Sequence, residues 1–239
     1  NPQPEALEKY YQSEAYISHT DSNKTLVDKI YQAVKKYSIL KKCSLVEKHL
    51  RSEKTLLDIG AGTGDFLVAA KNKGWSIQGV EPNADARMRA QEKQVSLLAD
   101  LESLPGKKFE VITLWHVLEH LPDLENQIVK FAQHLKEEGT LIIAVPNFKS
   151  HDANHYKNVW AAYDVPRHLW HFSRTAIEKL FNKHGLQLVK TKPMVFDSFY
   201  VSLLSEKYKS GKTGFLNFPK AFFRGLWSNM SAWRSKEYS

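Results

Sequence analysis

Apolar runs and glycine breaks alternate along the chain with the rhythm of strands and helices. Leu56, Leu57 and Ile59 close a short apolar run, predicting a strand over 54–59. It breaks at Gly60-Ala61-Gly62-Thr63-Gly64 and resumes with Phe66, Leu67 and Val68, predicting a helix over 64–73. The same alternation predicts a strand over 76–81, a helix over 84–92, and strands over 94–98 and 109–115. A helix over 122–137 opens near Pro122, repeats Leu124, Ile128, Phe131 and Leu135, and stops at Gly139. A strand over 139–145 follows. FEVITLW and TLIIAV are near-continuous apolar runs, as expected of strands covered on both faces. The reading is an α/β fold: a Rossmann-like, doubly wound, mostly parallel sheet.

The flanks differ from this core. Leu26, Ile30, Val34 and Tyr37 recur at helical spacing within 24–50. Before them, residues 1–23 are polar with interleaved aromatics. Residues 147–172 lose the periodicity but hold Trp160, Tyr163, Trp170 and four histidines, so they read as an ordered, functional insertion. Ser173 then caps a helix that Gly185 ends. A strand is expected over GLQLVKTKP, and helices over 197–208 and 215–233. The segments are 1–50, a helical N-terminal lid; 51–193, the core with its insertion; and 194–239, an aromatic helical extension. A seventh strand is missing: either 194–203 supplies it or it lies beyond Ser239.

Composition narrows the classes. The 239 residues suffice for one large α/β domain with an appendage, and 42% hydrophobic content with six Trp supplies a core. No 18-residue apolar run is present, which argues against a membrane span, and no leader pattern is seen. The single Cys43 excludes an internal disulfide framework and a cysteine zinc site. A cytoplasmic location is expected. Net charge is +8. Much of the excess sits at 35–54 and at the end of the chain, where Lys207, Lys209, Lys212, Lys220, Arg224, Arg234 and Lys236 face only Glu206 and Glu237. Such a face suits nucleic acid, acidic lipid or an anionic substrate, or is merely solvated. Phe215, Phe218, Phe222, Phe223, Leu226 and Trp227 among Lys220 and Arg224 form an amphipathic pattern, suited to peripheral membrane contact or to packing over a pocket or partner.

The glycine turn carries the chemistry. A dinucleotide fingerprint spaces its glycines G-x-G-x-x-G; here the third glycine comes one residue early, and Asp58 and Asp65 flank the turn. Two carboxylates would repel a pyrophosphate and suit a cation. Glu81, ending the second strand in GVEPN, can accept both hydroxyls of a ribose. This pattern resembles the class I S-adenosylmethionine-dependent methyltransferases, whose first motif runs acidic-x-Gly-x-Gly-x-Gly. The resemblance implies S-adenosylmethionine as cofactor, held by Asp58, Gly60, Ala61, Gly62, Gly64, Asp65, Phe66, Glu81 and Pro82. It implies that Asp100 and Leu101 meet the adenine, and that Trp115 and His116 pack on the methionine part.

Two further stretches bear on the acceptor. His116-Val117-Leu118-Glu119-His120 matches an inverted zinc-protease signature. It follows a buried strand and runs into Pro122, so no metal is expected. The same stretch, with Leu121-Pro122-Asp123, resembles that following strand four in quinone-biosynthesis-type methyltransferases. VWAAYDVPRHLWHFS resembles the PRH-x(2)-HFS stretch of the type 23, UbiG-like small-molecule family. The resemblance implies a small-molecule acceptor, with Trp160, Tyr163, Asp164 and Arg167 at its site, unless the Trp is core; Tyr11, Tyr16 and His19, too aromatic for a free tail, are expected in a lid. An arginine suits an anionic acceptor, although Arg167 can equally pair with Asp164. His120, His168 and His171 compete as the base that takes the acceptor's proton, or serve as packed or capping groups. The expected reaction is methyl transfer to an oxygen nucleophile. A nucleic-acid methyltransferase is disfavoured, because LWHV stands where an Asn/Asp-Pro-Pro-aromatic run belongs. A non-catalytic binding protein stays open.

Overall fold

The structure, a computed structural model, describes residues 26–104, 106–211 and 217–238. Tyr11, Tyr16, His19 and Phe215 lie outside the described residues. Helix α1 (Leu26–Glu47) leads into β1 (Thr55–Ile59), α2 (Asp65–Lys71), β2 (Ser76–Val80), α3 (Ala84–Glu92) and β3 (Phe109–Trp115). A 3-10 turn (Leu118–His120) precedes α4 (Leu124–His134) and β4 (Leu135–Ala144). Then come α5 (His151–Tyr156), two 3-10 turns (Lys157–Val159 and Ala161–Tyr163), α6 (Arg174–Asn182), α7 (Val195–Ser210) and α8 (Asn217–Ser235).

The four strands lie in the order β2-β1-β3-β4. β1 runs parallel to β2, Thr55 opposite Ser76 through Ile59 opposite Val80, and parallel to β3, Leu56 opposite Val111 through Ile59 opposite Leu114. The chain winds outward in both directions from β1, so the order reverses between β1 and β3. At such a reversal the loops leaving the carboxyl ends diverge and open a crevice for ligand. Leu56, Leu57, Val111, Ile112 and Leu114 are buried, as their unbroken apolar runs require. Cys43 and Val46 of α1 join Leu56, Leu67, Trp75, Ala90 and Val95 in one core. Glu110, buried within β3, accepts hydrogen bonds from the Arg51 and Ser52 amides and the Ser52 hydroxyl. Burial pushes this carboxyl up, but those donors and Lys136 outweigh it and hold it below its ordinary range.

The described residues divide into two compact units: those within 3–117 and 123–143, and those within 118–122 and 144–239. The segment boundaries at 50/51 and 193/194 expected from sequence do not coincide with this division. In the second unit Ala153, Tyr156, Trp160 and Ala162 form a small core. Buried Asp152 ties it together, accepting from Trp160 Nε1 at 2.8 Å and from Ser228 Oγ at 2.7 Å.

Several sequence expectations are corrected. The helix expected over 122–137 ends at His134, and Leu135 is already extended. Gly139 lies inside β4 rather than terminating a helix. Residues 94–98 make one isolated bridge, Val80 to Leu98, before turning away at Asp100, instead of a strand. Residues 185–193 form no strand, and Val189 is almost fully exposed, so its apolar side chain has no face to pair on. Residues 195–203 are helical, which removes them as a seventh strand. Ser173 does cap α6, accepting from the Ala176 amide, and Gly185 takes a left-handed conformation beyond its end.

Candidate active site

The loop between β1 and α2 is built for close approach. Gly60 has φ +70°, and a Cβ there would collide with the Val117 side chain that follows β3. Gly62 has φ +55° with nothing within 4 Å of where its Cβ would stand. A side chain at Gly62 would meet no protein atom, so it is the left-handed φ alone that favours glycine there. Glu81, just past β2, fixes the loop: its Oε2 accepts from the Gly62 amide at 2.8 Å and its Oε1 from the Asn83 amide at 2.9 Å. Each carboxylate oxygen has two acceptor sites. The carboxylate is therefore oriented by backbone and retains capacity for a ligand's hydroxyl pair. Pro82, beside it, is exposed.

Behind the loop lies Asp58, only 2% exposed. The Thr113 hydroxyl donates to its Oδ1 at 2.6 Å. Burial pushes its carboxyl up to about 7, while Thr113 and the charge of Lys42 pull the other way. Thr113 carries a hydroxyl amid the apolar residues of β3, and only the pairing of β1 with β3 sets it beside Asp58. At the end of β3, the buried Trp115 Nε1 finds no hydrogen-bond partner among the described residues. Its ring meets Phe66 edge-on at 5.7 Å and carries the Lys42 ammonium 4.5 Å from its centroid. A buried N–H left unmet by protein is a place where a ligand acceptor fits. His116, next in line, holds φ +58°, a conformation rare outside glycine and found at functional turns.

Two expected cofactor residues are engaged elsewhere. Asp65 is held by Lys35 at 2.7 Å and Lys93 at 2.6 Å. Burial raises its carboxyl, but both ammonium groups outweigh that and leave it below the ordinary range. Asp65 thus adds little net negative charge to the turn, and repulsion of a pyrophosphate rests on Asp58 and Glu81. Neither lysine carried a signal in sequence, because each comes from a different helix. Asp100 is exposed and caps its own turn, accepting from the Ser103 amide at 3.0 Å and hydroxyl at 2.7 Å. Leu101 beside it is buried.

The second unit gathers the histidines. His120 Nδ1 lies 3.0 Å from the Arg167 carbonyl, and His168 Nδ1 lies 2.8 Å from the Ala162 carbonyl. A carbonyl only accepts, so both rings carry their proton on Nδ1 and Nε2 is the basic nitrogen. The two rings meet edge-on at 4.6 Å. Burial pushes His168 below its ordinary range, and neighbouring His120 adds to this. Buried Glu119 anchors the turn from its backbone: its carbonyl accepts from the Leu169 and Trp170 amides. Glu119, His120 and His168 bring three potential metal-ligand atoms within 4.8 Å of one another, a grouping the sequence reading, which expected no metal, did not foresee. His171 is exposed, and its Nε2 donates to the Tyr163 carbonyl at 2.9 Å. Arg167 pairs with Asp164 at 2.7 Å, the strut that the sequence left open as an alternative. Trp160 is a core residue bonded to Asp152, not a wall of an open pocket. Tyr163 is half-buried between Trp160 and His171.

A methyltransferase-domain family model matches residues 31–191, spanning the glycine loop, Glu81 and the histidine cluster. The chain belongs to this methyltransferase family. Curated relatives include an uncharacterised methyltransferase of Geobacillus thermodenitrificans, 27% identical over 43% of this chain and 52% of its own length. A ubiquinone biosynthesis O-methyltransferase of Chelativorans is 33% identical over 38% of this chain and 40% of its own. The chain thus spans about half or less of the length of these curated relatives. Among solved structures, a SAM-dependent methyltransferase of Thermotoga maritima matches with TM-score 0.50 and 25% identity, over 63% of this chain and 72% of its own. The magnesium protoporphyrin IX methyltransferase of Synechocystis, with bound SAH, matches with TM-score 0.60 and 16% identity over 79% and 92%. The chain therefore has the class I fold of these solved methyltransferases.

Proposed function

We propose that the chain transfers the methyl group of S-adenosylmethionine to an oxygen of a small-molecule acceptor. The observation that carries the reading is Glu81, held by the Gly62 and Asn83 amides at the end of β2 with acceptor capacity for a ribose. The glycine loop, Asp58 and the unmet Trp115 N–H support the same ligand, which bears a cation, a carboxylate and two ribose hydroxyls. Asp58 would answer the positive charge, and Trp115 Nε1 with Lys42 the carboxylate. Asp100 and Leu101 are assigned to the adenine.

The cofactor supplies a methyl already activated on a sulfonium. The chain's task is then alignment of two reactants and custody of one proton. Nε2 of His168 or His120 would take the acceptor hydroxyl's proton, the methyl passing from sulfur to that oxygen. The O-methyltransferase name of the Chelativorans relative supports oxygen as the attacking atom, and the family match supports a small acceptor over nucleic acid. A cytoplasmic location belongs to this reading; no helix among the described residues is long and apolar enough to cross a membrane.

Calorimetric titration tests the cofactor. S-adenosylmethionine and S-adenosylhomocysteine should bind the unaltered chain. Glu81→Ala should weaken both by about 10- to 100-fold, through loss of the hydrogen bonds to a charged group. Trp115→Phe keeps the ring and removes only the N–H, and should cost about tenfold. Absence of binding to the unaltered chain sinks the reading. Transfer of labelled methyl to a panel of phenols and catechols, against amines and RNA, tests the acceptor class.

A further inference from the structure

The helical pair α7 and α8 is apolar on the wrong side for water. Where the two helices meet, α8 contributes Ala221, Gly225, Ser228 and Ala232, all of them buried. From α7, Ser198, Ser202 and Ser205 are buried. The contact is close enough that a Cβ on Gly225 would clash with Phe199. Ser198 Oγ lies 2.9 Å from the Val195 carbonyl and 3.3 Å from that of Gly225, and Asn229 donates to Ser198. Helices that pack through small residues and hydroxyls are characteristic of an apolar solvent, where burying large side chains between helices gains nothing.

The large side chains point outward instead. Phe223, Trp227 and Trp233 are 66%, 57% and 69% exposed, and Phe218, Phe222 and Leu226 are also exposed. At 3.6 residues per turn these six fall on one half of the α8 circumference, opposite the small-residue face. Single exposed apolar residues are ordinary, but a contiguous face of this size marks an interaction site. Lys220, Arg224 and Arg234 lie along one border of it, and α8 contains no acidic residue. Phe223 and Trp227 also line a groove of about 750 Å³ with Lys209, Lys220 and Arg224.

We propose that the aromatic face of α8 lies in the interface of an anionic lipid membrane, with Lys220 and Arg224 on the headgroups and Phe223 and Trp227 among the acyl chains. Tryptophan, phenylalanine and a cationic border are the composition of interfacial helices. Charge decides against a second copy of the chain as occupant. A two-fold interface through this face brings like cationic borders together, and α8 offers no acid to answer them. An anionic bilayer neutralises the border and accepts the aromatics at once. The helices lie on the surface and do not span, as their hydropathy requires. This goes beyond methyl transfer and does not depend on it.

The test is co-sedimentation of the full chain with vesicles of phosphatidylcholine, alone or doped with phosphatidylglycerol. The chain should pellet with the doped vesicles at low ionic strength, bind neutral ones far less, and release in part at high salt. Lys220→Gln with Arg224→Gln should cost about fivefold in affinity per charge. Phe223→Ser with Trp227→Ser should abolish pelleting at any salt. Both pairs are exposed, so unchanged circular dichroism and melting will show the fold intact. Failure to pellet with doped vesicles, or equal pelleting with neutral ones, overturns the proposal. So does a solution mass of two chains that falls to one in the Phe223→Ser/Trp227→Ser variant.

Discussion

Asp58 is the residue whose surroundings depart furthest from what a sequence position conveys. Its carboxyl is pushed up to about 7 by burial, against about 3.9 in an unfolded chain. Between those values the folded state holds a proton that the unfolded state has released. Stability therefore falls as pH rises from about 4 to 7, by an amount on the order of 4 kcal/mol, and is level above. Asp58→Asn removes this dependence, so denaturant unfolding should show the variant gaining on the parent between pH 5 and pH 8. An equal difference at both pH values would mean that Asp58 does not titrate as stated. The same acid should release its proton when a cation binds beside it, visible as a buffer-dependent heat of S-adenosylmethionine binding near pH 6. His168 titrates in the opposite sense. Burial and His120 hold it below the ordinary histidine range, so it stays neutral until the pH falls under about 6.5. If it takes the acceptor's proton, turnover should decline on the acid side of that value. His168→Ala and His120→Ala should then lower turnover by about 100- to 10,000-fold with little change in cofactor affinity. A chelator should leave the parent rate unaltered. Full activity in both variants across pH would make the pair structural, with catalysis resting on alignment alone.

At the scale of elements, the informative cases are those where one strand or helix answers another. The strand-turn-helix at β1, its glycines and the acid ending β2 were legible, because each is a local pattern whose period or break shows in consecutive residues. The 3.6-residue repeat of α1 was legible for the same reason. What did not show were partners supplied from elsewhere: Thr113 to Asp58, Lys35 and Lys93 to Asp65, Val117 over Gly60. The insertion is the clearest example. The resemblance implies Trp160 at the acceptor site; in the structure its N–H donates to buried Asp152 of α5, which also accepts from Ser228 of α8. Asp152→Ala strands two buried donors, the Trp160 N–H and the Ser228 hydroxyl. At about 1–3 kcal/mol for each unsatisfied group, it should cost about 2–6 kcal/mol. Thermal unfolding measures this, and a loss under 1 kcal/mol would show that the donors find other partners. Arg167 pairs with Asp164, one of the two readings that the sequence leaves open.

For the whole molecule, charge and apolar surface are distributed by the fold rather than by composition. A net charge of +8 left nucleic acid, lipid and anionic substrate open. The structure spends part of that charge internally, Lys35 and Lys93 on Asp65, and sets another part beside the exposed aromatics of α8. The partition into units is also a property of the folded chain. Residues 118–122 belong with 144–239 although both their sequence neighbours belong to the other unit. By itself the sequence determined the α/β class, the strand order's first turn, the cofactor loop and the shortlist of histidines. Those features depend on periodicity and on residues a few positions apart, and the glycines and acids carry their chemistry wherever they sit. Tertiary structure alone decided which acids are paired, which histidine nitrogen is basic, and which aromatics are core and which face outward. Each of those outcomes depends on desolvation and on a donor or acceptor brought from a distant segment, and neither quantity exists until the chain has folded.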